Sequence, residues 1–148
     1  MAIWQHHMYL LPRQEVESYF GTPTSIDFEA FNEIDWWQYH RFTLADFESF
    51  DSILPRNKSW NENLILFGEE SSTCIEILLL EGKISEVSIR IDLRKDNTLF
   101  LKRISEFAHF NNCIFWDEGL LIVNSDIFSI EQSIARDNKH QRFLDKLG

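Results

Sequence analysis

The chain has 148 residues and a mass of 17.6 kDa, with 44% hydrophobic and 26% charged residues. That is the balance of one ordinary globular domain and excludes a disordered or fibrous chain. Twenty-four acids against 14 bases leave a net charge of −10, which argues against a binder that draws its affinity from neutralising nucleic-acid phosphates.

In chain order, Ile3 to Leu11 mixes aromatic and aliphatic positions and predicts a strand ending at Pro12. Arg13 to Phe20 predicts a short helix, with Val16, Tyr19 and Phe20 at helical spacing and Gly21 as its stop. Thr22-Pro23-Thr24-Ser25 is a break, and Ile26 to Phe42 supports both a three-residue aromatic spacing and a strand-like alternation. Thr43 stands three residues before Asp46, the pattern of a capping box, and Leu44, Phe47, Phe50 and Leu54 follow as a helical stripe closed by Pro55.

The second half is more regular. Asn63 to Phe67, Thr73 to Leu80 and Ile84 to Leu93 read as strands, the last two joined by the tight-turn pair Glu81-Gly82. Thr98 to Phe110 predicts an amphipathic helix ended by Asn111-Asn112. Cys113 to Trp116 and Leu120 to Val123 flank Asp117-Glu118-Gly119 as a second hairpin. Ser129-x-x-Gln132 predicts the cap of a short helix, and Lys139 to Leu147 a final amphipathic one. The sum is a single α+β domain over residues 1–148, mainly an antiparallel sheet of about five to six strands with helices packed on it.

The N-terminal segment has no basic region leading into an apolar run, and runs such as Ile77-Leu78-Leu79-Leu80 fall far short of the ~20 residues that span a bilayer. A cytoplasmic protein with no membrane partner is expected. Cys74 and Cys113 are too few for a disulfide framework and lie in apolar strands, where a thiol acts as a small core hydrophobe.

Catalytic chemistry finds no foothold in local motifs. The histidines are His6, His7, His40, His109 and His140; His6 and His7 are adjacent on a strand and point to opposite faces, and no pair has metal-ligand spacing. His109 precedes Cys113 by four residues but across a helix stop, and there is no nucleophile elbow or phosphate-cradling glycine loop. The carboxylate pairs Glu69-Glu70 and Asp117-Glu118 sit in polar turns that would not push their pKa values apart. No catalytic residue, metal or cofactor is expected. Arg90, Asp92 and Arg94 form an alternating charged row that reads either as an anion-binding grip or as cross-strand ion pairs with Glu76 or Glu86.

The unusual feature is the first third of the chain. Thirteen of 21 aromatics fall between Trp4 and Trp60, and through Leu54 nine acids face two bases. The densest point is Glu33-Ile34-Asp35-Trp36-Trp37-Gln38-Tyr39-His40. Neighbouring side chains diverge on a helix or strand, so at least one of Trp36 and Trp37 is expected at the surface or covering a groove. Exposed aromatics anchor protein interfaces, and acids around them steer a basic partner. Glu33, Asp35, Trp36, Trp37, Tyr39 and His40 are therefore the expected partner-binding set, on a monomer or weak homodimer.

With its acidic, single-domain α+β character, its lack of a catalytic signature and the acidic aromatic stretch Asp35 to His40, the chain resembles the small immunity proteins with which bacteria neutralise polymorphic or contact-delivered toxins. The resemblance implies a binding protein rather than an enzyme, with a basic toxin or nuclease domain as its partner. The alternative is a small enzyme or ligand-binding domain whose cleft is lined by Trp36, Trp37, Tyr39 and His40, with Arg90 or Arg94 fixing an anion.

Overall fold

The computed structural model describes residues 2–39 and 42–137. His40, His140 and the helix expected over Lys139 to Leu147 lie outside the described residues. β1 (Gln5–Pro12) runs directly into α1 (Arg13–Phe20), which stops where Gly21 adopts φ 71° and its N–H donates to the Glu17 carbonyl at 2.9 Å. A short α2 (Phe28–Glu33) follows, capped by the Asp27 carboxylate accepting from the Ala30 N–H. The Thr43–Asp46 capping box opens a helix as expected, but Leu44–Ser52 is a 3₁₀ helix. Its apolar positions Leu44, Phe47 and Phe50 recur every three residues, the 3₁₀ period, so they share one face.

The remaining strands are β2 (Arg56–Asn57), β3 (Leu64–Gly68), β4 (Cys74–Leu80), β5 (Lys83–Asp92), β6 (Cys113–Asp117) and β7 (Ile122–Val123), with α3 (Thr98–Phe110) between β5 and β6 and α4 (Ile127–Ala135) after β7. They form one antiparallel seven-stranded sheet in the order β2-β3-β4-β5-β1-β6-β7, so the fold is α+β. The strand beyond the expected five to six is β2, only two residues long and without an alternation to read. β4 and β5 pair through a turn in which Glu81 and Gly82 both take positive φ, the two-residue geometry that matches strand twist. At the other end of β3, Gly68 has φ +86° and a side chain there would meet the Thr73 carbonyl at 2.4 Å; only glycine fits. α4 begins at Ile127 rather than at Ser129, because the Asp126 carboxylate is the cap and accepts from the Ser129 N–H at 2.7 Å.

Strand register sorts the two faces. Met8, Ile89 and Ile75 lie side by side on one, and Tyr9, Ser88 and Glu76 on the other. The first face is the core. Met8, Leu10, Ile75, Ile77, Ile89 and Ile91 are fully buried, each contributing ~1.5–3 kcal/mol of burial. α4 packs on this side with α3 beside it, and Phe47 and Phe50 of the 3₁₀ helix pack on Phe107 of α3. The second face is roofed at its β1–β6 end by α2, whose Phe31 stacks on Trp116 with centroids 4.0 Å apart. Among the described residues no helix is long and apolar enough to cross a membrane.

Candidate functional site

Residues 34–39 leave α2 as an irregular segment and return past the sheet face that carries Tyr9. Here the expectation of an exposed tryptophan is corrected: Trp36 is 4% and Trp37 5% exposed. The two side chains do diverge, but in this irregular segment each finds apolar cover. Trp36 turns toward α1 and α2, packing on Tyr19, Phe20 and Phe31 at 6.1–6.4 Å while its indole N–H donates to the Phe31 carbonyl at 3.1 Å. Trp37 packs on Phe42 at 5.3 Å.

The surface aromatics of residues 13–39 are instead Tyr19, Phe20, Phe28 and Tyr39, the last 72% exposed. Across residues 13–39 the acids Glu15, Glu17, Asp27, Glu29, Glu33 and Asp35 face one base, Arg13. Of the expected set, Glu33, Asp35 and Tyr39 are exposed and Trp36 and Trp37 form the floor. Sequence reasoning missed Tyr19, Phe20 and Phe28. Tyr19 and Phe20 are the last two residues of α1, and the Gly21 stop after them was the available signal.

Between this segment and the β4–β5 turn lies an open groove of about 690 Å³, walled by Glu33, Asp35 and Gln38 on one side and Leu80, Glu81 and Lys83 on the other. It shares Ile34, Trp37 and Ser85 with a narrower cavity of about 180 Å³ that reaches Tyr9, Phe31, Trp36 and Glu86. Burial, and then the charge of Glu76, raises the pKa of Glu86 above the usual carboxylate value. Burial, aided by Glu86, pushes the Tyr9 phenol up to about 12. A second depression of about 330 Å³ between Leu54 and Phe100 is lined by Thr73, Asp96 and Asn97, whose polar atoms already bond to one another or to Thr98.

The row Arg90, Asp92 and Arg94 does not converge on a ligand position. Asp92 is fully buried, and Arg94, past the end of β5, folds back to donate Nε–H and Nη2–H to its two oxygens at 2.9 Å. Burial would raise the Asp92 carboxyl, but hydrogen bonds from Arg94 and Ser72 and the Arg94 charge outweigh it and hold the carboxyl below the usual range. Arg90 pairs with Glu76 at 2.9 Å and lies 3.9 Å from Glu70. Its Nε is buried without an acceptor, yet the two flanking carboxylates repel an anion. The charges neutralise one another, as the cross-strand reading expects.

A buried polar network invisible in local motifs joins β1, β6 and α4. His6 Nδ1 meets Asp137 Oδ2 at 2.7 Å and Nε2 meets Ser133 Oγ at 2.8 Å; the Ser133 hydroxyl lies 2.6 Å from Asp117 Oδ2. The connectivity is that of a Ser-His-Asp triad, but the chemistry differs. Asp117 accepts from the Gly119 and Leu121 N–H groups, lies 3.5 Å from Arg136, and accepts the hydrogen bond of the Ser133 hydroxyl as well. Ser133 is 1% exposed, out of reach of a substrate, and its hydroxyl is committed away from the imidazole that would have to accept its proton. His6, Glu118 and Asp137 offer three ligand atoms within 4.8 Å, a donor set that suits a divalent cation. Both His6 nitrogens, however, are engaged as they stand, so a metal would have to displace the Asp137 contact. The network reads as the pin that fixes α4 on the sheet.

Cys74 and Cys113 are fully buried, and burial pushes both thiols up to about 12, so neither is a thiolate nucleophile at neutral pH.

The fold and this face together define a small acidic α+β domain with an aromatic, carboxylate-rimmed surface. No family model matches the chain, and no curated protein and no solved structure is significantly similar to it.

Proposed function

We propose that the protein is a binding module that takes a basic protein partner on the α1–α2 face and its adjoining groove, in the manner of an immunity-type inhibitor of a basic toxin or nuclease domain. The observation that carries this reading is the coincidence on one segment of four exposed aromatics with six carboxylates opposed by one base. Large amphipathic rings supply contact area, and a single-sign rim steers a partner of opposite charge. The cleft reading gains less support. The inner aromatic cavity is below the ~300–1,000 Å³ of small-molecule sites, and at its mouth carboxylates outnumber the one cation, Lys83.

The test compares the full chain with Glu29→Lys/Glu33→Lys/Asp35→Lys and with the control Glu69→Lys/Glu70→Lys, each immobilised and exposed to lysate of the source organism at low and high salt. A basic protein held by the wild type and the control, lost by the triple variant and released by salt is expected. Equal retention by the triple variant, or an acidic bound protein, contradicts the reading.

A further inference from the structure

Glu86 is a half-buried carboxylate that has neither an ion pair nor a hydrogen bond among the described residues. The charge that acts on it is another carboxylate, Glu76. An ionised group desolvated beside a like charge is held at a cost, and such groups are retained where a ligand supplies the missing counter-charge. The same cavity is lined by four aromatic residues, Tyr9, Phe31, Trp36 and Trp37. Cations are attracted to such rings, most strongly where water is excluded, and a planar guanidinium both packs on rings and forks a carboxylate. The approach is graded: Glu33, Asp35 and Glu81 line the groove outside, with Lys83 as its one cation, and Glu86 waits within. At about 180 Å³ the inner cavity has room for a side chain.

We propose that this cavity is the receptor for one arginine side chain of the protein partner, its guanidinium set among Tyr9, Phe31, Trp36 and Trp37 against the Glu86 carboxylate. The assignment rests on the binding reading above and gives it a specific anchor. It also distinguishes the two roles of acid on this face: the exposed carboxylates steer, and Glu86 holds.

The test uses the isotopically labelled full chain and Nα-acetyl-arginine methylamide, read by the indole N–H resonances of Trp36 and Trp37. Both should move saturably with the arginine derivative and stay still with the neutral isostere, acetyl-citrulline methylamide. Glu86→Gln should weaken the response ~10-fold while the spectrum stays folded, because a charge-assisted contact becomes a neutral one. Indoles that do not respond, or that respond equally to citrulline, overturn the proposal, and an equal response to the lysine analogue overturns the choice of arginine. If the indoles stay still while the triple lysine variant still loses its basic partner, the cavity assignment fails and the interface reading survives. If neither effect is seen, both fail.

Discussion

His6 on β1 and Asp137 just beyond α4 are 131 residues apart in sequence and 2.7 Å apart in the fold, joined by the imidazole that also reaches Ser133. Two buried or nearly buried polar side chains thus meet on one ring, and Asp117 is reached through Ser133. Removing it takes the imidazole contact from Asp137 and Ser133 and opens a space at a buried position. His6→Ala should cost ~3 kcal/mol or more, as the breaking of buried charged networks does. The check is a denaturant midpoint shift at unchanged slope. A loss below ~1 kcal/mol would show that the network relaxes without it.

Trp36→Ala should destabilise the fold by about 3–5 kcal/mol, since its indole fills the space between α1 and α2 and donates to the Phe31 carbonyl. Tyr39→Ala, on an exposed ring, should change stability by less than ~0.5 kcal/mol. Thermal and chemical unfolding of the two variants separate floor from surface. Equal effects would contradict the placement of the segment.

The acid limb of stability should report Asp92. Its carboxyl is held below the usual range by Arg94 and Ser72, so the unfolded chain binds the proton first. The contribution is present above the ordinary carboxylate pKa and is lost as pH falls through the lowered folded value. Asp92→Asn should therefore lower stability at neutral pH and flatten its decline below about pH 4. A variant that follows the wild-type acid profile would show that other carboxylates dominate.

Glu86 should behave oppositely. Its folded pKa is raised, so its contribution is favourable while it is protonated and is lost as pH rises through the folded value. Glu86→Gln should raise Tm at neutral pH by roughly 2 °C or more, with the gain disappearing in acid. A residue whose neutralisation stabilises the free protein while weakening its complex is one kept for binding, the usual trade at a functional site.

The sheet was legible where the chain alternates about a turn signal. Ile89 and Ile91 fall in the core, and β4 and β5 meet at Glu81-Gly82, because period-two burial and a two-residue turn are local properties. The helix Thr98–Phe110 was legible for the same reason. The segment 34–39 was not, because its side-chain directions follow from no repeating backbone geometry, and both indoles found apolar neighbours in different elements. Nor was the His6 network legible, since its members come from strands and a helix far apart in sequence. Asp92 looked like a solvated member of a charged row until the turn after β5 brought Arg94 back onto it. The acidic, aromatic character of the first third was visible from composition alone, but which rings reach the surface depended on tertiary packing.

The central claim, that the α1–α2 face receives a basic protein, is tested most directly by hydrogen–deuterium exchange of the full chain with and without the protein it retains at low salt. Protection should rise in Glu17 to Tyr39 and around the β4–β5 turn, and α3 and α4 should exchange as in the free protein. Protection confined to α3 and α4, with residues 17–39 unchanged, would place the partner on the opposite side of the sheet and contradict the account.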